Sequence, residues 1–143
     1  DSRGTVMPTA HFSSLNDCEV IEVEFLTVSG ESRRRKLLVD SGFTGESSIV
    51  LGDHEDELIW AMMDPTQASG ALQGEQNRAW VTCRIPEIGF QATVIAIHTD
   101  LTPLSLPEEI RGMAGLSFLR HFTQWGPERS GGTWRFSLSL DKP

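Results

Sequence analysis

The chain contains 143 residues, which suits a single domain with a buried core, and 38% of them are hydrophobic. Its 20 acidic and 12 basic side chains give a formal net charge of −8, which argues against nucleic acid as a partner, because a polyanion needs clustered Lys and Arg. No stretch reaches the ~20 apolar residues of a membrane span, and Cys18 and Cys83 have neither metal-like spacing nor the number needed for a disulfide framework.

The N-terminal part of the chain predicts an arm followed by a hairpin. Residues 1–17 are polar and irregular, so we expect a flexible arm there and one domain over residues 18–143. Residues 18–28 alternate between apolar and polar side chains, which predicts a half-buried strand. A turn signal at residues 29–32 then precedes a second strand over residues 35–39.

The next segment, Leu-Leu-Val-Asp-Ser-Gly-Phe-Thr-Gly at residues 37–45, is the most informative in the chain. Its apolar run predicts a buried strand that ends at Asp40, and Gly42 permits a sharp turn. A carboxylate at such a place can be desolvated and brought close to another group, which is an environment suited to chemistry. Asp and Ser before Gly are also ordinary turn residues, so a plain strand-to-loop turn is the alternative interpretation.

The middle of the chain predicts three further strands. A short apolar run occupies residues 48–51, and two longer strands are expected over residues 79–85 and 90–97. Between the first and second of these strands, residues 53–63 combine acidic and large apolar side chains and end before Pro65. That composition favours a short helix or an ordered loop.

The C-terminal part predicts one helix and one strand. Gly-Met-Ala-Gly at residues 112–115 leads into residues 116–122, whose apolar side chains have helical spacing. Large apolar side chains then alternate over residues 134–140, as in a strand. The whole pattern therefore predicts a mainly β fold, a small closed or folded sheet, with one short helix near its C-terminal side.

Other chemistries have weaker signals. The acidic segment at residues 53–57 contains one His, but it lacks the His-Glu-x-x-His spacing, so a solvated loop is favoured over a metal site. The four His residues are dispersed, and no Gly-x-Ser-x-Gly motif supports a Ser-His-Asp triad. These patterns therefore give no support for a metal site or a Ser-His-Asp triad.

Two motifs resemble the hallmarks of retropepsin-like aspartic peptidases. Leu-Val-Asp-Ser-Gly at residues 38–42 is similar to the Asp-Thr/Ser-Gly motif after a hydrophobic strand, and the following Phe-Thr-Gly is similar to that of single-domain bacterial members. Met-Ala-Gly-Leu-Ser-Phe-Leu at residues 113–119 resembles the second hallmark, two apolar residues and a glycine that open a short helix. The resemblance covers roughly residues 18–140 and implies a single-lobe closed β-barrel, the acid-protease fold.

The resemblance also implies a function. Two chains would pair about a twofold axis, and Asp40 from each would form a dyad that activates a water for hydrolysis of a peptide or protein substrate. Neither a metal nor a cofactor would be needed. Ser41 would brace the dyad through its hydroxyl, and Gly42 would let the substrate main chain approach closely. Trp134 in the last strand is a candidate for the dimer contact.

The resemblance further implies which residues bind substrate and which support the turn. Phe43 would shape the pocket beside the dyad. Where viral members carry acidic residues that anchor the peptide main chain, this sequence has Thr44 and Gly45, and Glu46 further on would substitute for them. The expected substrate-binding set is Phe43, Thr44, Gly45 and Glu46, together with a flap at Gly70, Ala71, Leu72, Gln73 and Gly74. Gly115 would pack behind the Asp40 loop, with Met113 and Ala114 in a strand beneath it.

Two other functions stay open from the sequence. One is a catalytically silent dimer of the same fold that binds an extended peptide, and the other is a small β-barrel with an incidental Asp turn. The compartment also stays open between the bacterial cytoplasm and, if a targeting segment has been removed, the periplasm.

Overall fold

The computed structural model describes residues 7–68 and 74–141, with side chains described outside 65–68 and 74–75. The described part of the chain is mainly β, with 57% of it in strands. In chain order the elements are β1 Thr9–Ser13, β2 Val20–Leu26, β3 Ser32–Asp40, β4 Ile49–Gly52, β5 Ala61–Ala68, β6 Gly74–Ile85, β7 Phe90–Thr99, β8 Ile110–Gly115, α1 Leu116–Leu119, β9 Gln124–Ser130 and β10 Thr133–Ser139.

Six strands close into a barrel. Neighbouring strands follow the order β2, β3, β8, β4, β7 and β6, and the circle closes because β2 also pairs with β6 at Glu24–Leu26. The strand β5 continues the sheet beyond β6. The predicted mainly β closed barrel with one short helix is confirmed, and so is the predicted β2–β3 hairpin.

The order of the strands brings the two sequence motifs together at the end of β3. The strands β3 and β4 are consecutive in the chain, yet β8 lies between them, parallel to β3 and antiparallel to β4. The loop from Ser41 to Ser48 must therefore pass over the end of β8. Residues 113–119, which carry the second motif, are brought directly beneath the Asp-Ser-Gly turn by this arrangement.

The barrel core follows the alternation seen in the sequence. Ile21, Val23 and Phe25 on β2 are fully buried, because successive side chains of a strand point to opposite faces. The short helix α1 contributes Phe118 to this core, where its ring packs edge-on against Phe90 with ring centroids 5.8 Å apart. The helix spans one turn, Leu116–Leu119, whereas the spacing predicted helix as far as residue 122.

A second sheet corrects the predicted N-terminal arm. Residues Thr9–Ser13 form β1 and pair with β10, which in turn pairs with β9, so this part of the arm is ordered strand. Ala10 is buried against the core. The prediction differs from the structure because β1 pairs with β10, almost at the other end of the chain, and a local polar composition does not reveal such a partner.

The uncertain segment at residues 53–63 contains less helix than the composition suggested. A single 3₁₀ turn covers Asp56–Leu58, and β5 begins at Ala61. Pro65 is accommodated inside β5 because the β5–β6 register shifts between Met63 and Thr66, and proline is tolerated where a ladder is interrupted.

Both cysteines are free thiols, Cys18 half-buried and Cys83 buried. Within the residues that the structure covers, no helix is long and apolar enough to cross a membrane.

Candidate active site

Asp40 is the last residue of β3 and begins a tight turn. Its Oδ1 accepts a hydrogen bond from the Gly42 N–H at 3.0 Å, and its main-chain carbonyl accepts one from the Phe43 N–H at 3.1 Å. The first bond fixes the direction of the carboxylate, while the second closes the backbone turn. The sequence therefore produces an oriented carboxylate from the turn residues alone.

The turn is open to solvent on its outer side. Asp40 is half-buried, whereas Ser41 and Gly42 are exposed. Among the described residues, none of the ion pairs involves Asp40, so its orientation depends on a neutral amide. A Cβ on Gly42 would lie 3.2 Å from Asp40 Oδ1, which is a tight contact, so glycine suits this position.

Gly115 supports the turn from beneath. It lies opposite Asp40 in the β3–β8 pairing, and a Cβ there would overlap the Phe43 ring and lie 2.7 Å from the Phe43 carbonyl oxygen. The same carbonyl accepts a hydrogen bond from the Leu116 N–H at 2.9 Å. Phe43 is thus seated directly on the glycine, and only a residue without a side chain permits this.

The far end of the loop is held at Ser48. Its carbonyl accepts the Gly115 N–H at 2.9 Å, and its own N–H donates to the Ile95 carbonyl at 2.8 Å. The buried Ser48 hydroxyl also lies 3.1 Å from the Ser117 hydroxyl. Neither serine is identifiable as a supporting residue from the sequence, since Ser117 falls inside the second motif but its partner is 69 residues away.

An apolar cluster lies under the loop. Buried Val50, Ile97 and Met113 form its centre, and Phe43 and Leu38 pack against it. Met113 and Ala114 lie on β8 next to the Asp40 loop, where the resemblance placed them. The turn therefore rests on packed side chains as well as on hydrogen bonds.

The remaining residues of the expected substrate-binding set are on the surface of the loop. Thr44, Gly45 and Glu46 are exposed, and Gly45 has φ +111°, a conformation that favours glycine. Glu46 forms an ion pair with Arg78 on β6, a residue that the sequence analysis did not single out. No local signal connects two residues that are 32 positions apart.

The expected flap is only partly described. The strands β5 and β6 pair as a hairpin up to Ala68 opposite Gly74, so Gly74 begins β6. Gly70, Ala71, Leu72 and Gln73 lie outside the described residues.

The acidic segment near β4 is tied into ion pairs. Glu55 is buried and accepts two hydrogen bonds from Arg35, at 2.6 and 2.9 Å. Burial by itself raises the pKa of Glu55, but the hydrogen bonds and charge of Arg35 outweigh it and leave the pKa below its usual value. Among residues 7–68 and 74–141, no three His, Cys, Asp or Glu side chains are grouped so that they could hold a metal ion.

Comparison with known proteins adds no relative. No family model matches the sequence, and no curated protein or solved structure matches the chain.

Proposed function

We propose that the chain is one subunit of a homodimeric aspartic endopeptidase in which the two Asp40 carboxylates form the catalytic dyad. The observation that carries the proposal is the support of the Asp40 turn by the second motif. Gly115 lies opposite Asp40, and the adjacent Leu116 N–H holds the Phe43 carbonyl. Two motifs far apart in the sequence thereby meet around a single oriented carboxylate.

The proposed chemistry needs two carboxylates with different protonation. When two such groups lie about 3 Å apart they cannot both ionise readily, so they share a proton and titrate as a pair. The ionised member takes a proton from a bound water while the water oxygen attacks the scissile carbonyl carbon. The protonated member donates its proton to the carbonyl oxygen, and collapse of the tetrahedral intermediate breaks the C–N bond with a proton transferred to the leaving amine.

The need for a dimer follows from the sequence. The chain contains one Asp-Ser-Gly motif and no Asp-Thr-Gly, so a dyad requires a second copy. A twofold axis through the Asp40 turn would place identical residues next to each other. The exposure of Ser41 and Gly42 in the single chain is consistent with such a contact.

A second Asp turn in the same molecule bears on the alternative that the Asp40 turn is incidental. Asp100 also follows a strand, and its Oδ1 accepts the Thr102 N–H at 2.9 Å and the Thr102 hydroxyl at 2.7 Å. These bonds hold the pKa of Asp100 below its usual value. The hydrogen-bond pattern of Asp40 is therefore not in itself unusual, and the strand crossing beneath it is the feature that favours catalysis.

The decisive experiment is digestion of a diverse peptide library, analysed by mass spectrometry between mildly acidic and neutral pH. Wild type, Asp40→Asn and Asp100→Asn are compared, the last being the matched turn control. We expect wild type and Asp100→Asn to cleave the same peptides and Asp40→Asn to cleave none. Cleavage by Asp40→Asn would refute the dyad. Absence of cleavage by all three proteins would favour the silent binding module.

A further inference from the structure

The side chain of Arg78 joins two segments that are separate in the chain. It comes from β6 and is only 14% exposed, although its partner Glu46 is 66% exposed. Its guanidinium pairs with the Glu46 carboxylate through Nη1, and its Nε–H donates to the Asp64 carbonyl at 2.8 Å. The Arg78 guanidinium therefore bonds both to the loop that follows Asp40 and to the strand β5.

The Asp64 end of this bridge lies at an irregularity. Met63 pairs with Arg78 and Thr66 with Gln76, so Asp64 and Pro65 face a single residue of β6. Such a bulge disrupts the ladder locally and increases the twist of the strand. The bond from Arg78 supplies a donor to the Asp64 carbonyl at this point.

The strand register places Arg78 on the same face as the support of the turn. Met113 pairs with Leu38 and Val50, Val50 pairs with Ile97, and Ile97 pairs with Arg78. Side chains of directly paired residues share one face of a sheet. One row of paired side chains therefore runs from Leu38 on β3, two residues before Asp40, across β8, β4 and β7 to Arg78 on β6.

We propose that Arg78 is a positioning residue of this enzyme, which holds Glu46 and with it the outer part of the Asp40 loop against the β5–β6 hairpin. The inference rests on the proposed function. It also changes the role expected of Glu46. Its carboxylate is bound within the chain, so it positions the loop and does not anchor the peptide main chain.

A stabilising role alone does not account for this arrangement. Ion pairs with one exposed partner contribute little to the stability of a protein. Residues that hold a catalytic loop nevertheless affect the rate strongly, because small displacements of reacting groups are costly. The predicted signature is therefore a loss of catalytic efficiency with little change in melting temperature.

The test uses Arg78→Met, which keeps the stem and removes the donors, Glu46→Gln, and the double variant. Arg135→Met is the matched control, because Arg135 forms a comparable pair with Glu128 at 2.7 Å on the small sheet. We expect each single substitution to lower kcat/KM by roughly fivefold and the double variant to lose no more than either single one. Melting temperatures should stay within about 2 °C of wild type, and Arg135→Met should resemble wild type in every measurement.

Amide hydrogen exchange supplies a measurement that is independent of cleavage. In Arg78→Met we expect faster exchange at residues 43–48 and at residues 61–68 together. In Glu46→Gln we expect faster exchange at residues 43–48 alone, because that variant keeps the bond from Arg78 to the Asp64 carbonyl. Unchanged exchange at 43–48 in Arg78→Met would overturn the proposal even if the protein proves not to be a peptidase. If wild type cleaves peptides, a loss of efficiency in Glu46→Gln but not in Arg78→Met would overturn it too, and would restore Glu46 as a substrate contact.

Discussion

Gly115 lies directly opposite Asp40 in the parallel pairing of β3 and β8, and the face of the glycine is covered by Phe43. The glycine of the second motif is therefore the floor of the turn that carries the first motif. Its backbone angles are ordinary, with φ −96° and ψ −176°, so the backbone conformation alone would permit an alanine at this position. Space is the constraint, because the nearest atoms include the Phe43 main chain.

Gly115→Ala should consequently displace the Asp40 turn. We expect a loss of about 1 to 3 kcal/mol in the free energy of unfolding, the usual cost of overpacking, together with loss of cleavage. Urea denaturation measures the first effect and peptide hydrolysis the second. Gly52→Ala is the control, because a Cβ there would meet the exposed His54 ring, which can move away. Equal activity in Gly115→Ala and wild type would show that the floor of the turn does not matter.

The Ser48–Ser117 pair gives a second prediction. Ser117→Ala would leave the buried Ser48 hydroxyl without this partner, which we expect to cost about 1 to 2 kcal/mol of stability. The double variant Ser48→Ala/Ser117→Ala should recover most of that loss, because an unsatisfied polar group is then no longer buried. Denaturation of the two single variants and the double variant measures the coupling. Strictly additive losses would contradict the importance of this hydrogen bond.

Subunit mixing tests the dyad more sharply than dilution does. If the active unit is a dimer, a 1:1 mixture of wild type and Asp40→Asn at fixed total concentration should retain about a quarter of the wild-type activity. Only that fraction of randomly paired dimers carries two Asp40 residues. Independent monomers would instead retain about half. The chains must exchange before the assay, which labelled subunits can verify.

Most strands of the barrel could be predicted from local sequence patterns. The strands over residues 20–26 and 32–40 have strong alternation or a continuous apolar run, and their sequence neighbours are also their spatial neighbours. The Asp-Ser-Gly turn is equally local, because its hydrogen bonds join Asp40 to residues two and three positions later. These features depend on short stretches, so a single sequence suffices to find them.

The missed features depend on distant partners. The strand β9 has no buried residue in its pattern, so no period distinguishes it from a loop until it pairs with β10. The strand β1 likewise depends on β10. The ion pair of Glu46 with Arg78 and the hydroxyl pair of Ser48 with Ser117 join positions 32 and 69 residues apart. Only the folded barrel shows which polar residues meet.

The two cysteines should differ in reactivity. Burial raises the pKa of the Cys83 thiol to about 12, and the residue is fully enclosed. At pH 8 the Cys83 thiol is therefore protonated, whereas half-buried Cys18 is accessible. Alkylation of the native protein followed by mass spectrometry should therefore modify Cys18 alone, and modification of both should require denaturant. Rapid native labelling of Cys83 would mean that the barrel opens readily.

Because of the Arg35–Glu55 pair, the free energy of unfolding should decrease as the pH falls. The side chains of Arg35 and Glu55 are 16% and 4% exposed, so removing one charge leaves the other poorly solvated. We expect Glu55→Gln to lower the free energy of unfolding by about 2 to 3 kcal/mol at pH 7, since the amide keeps an acceptor but no charge. The more exposed Glu57, 3.8 Å from Arg35, limits the loss.

The sign follows from the pKa of Glu55, which is lower in the folded protein than its usual value because Arg35 outweighs the effect of burial. A depressed pKa means that the contribution is complete above the unfolded-state pKa and disappears as pH falls through the folded-state pKa. The difference between wild type and Glu55→Gln should thus be constant from pH 7 to about pH 5 and shrink below it. Urea denaturation across this range, with Glu57→Gln as the control, measures the difference. A gap that persists undiminished at pH 3 would show that lost packing, and not the charge of Glu55, causes the destabilisation.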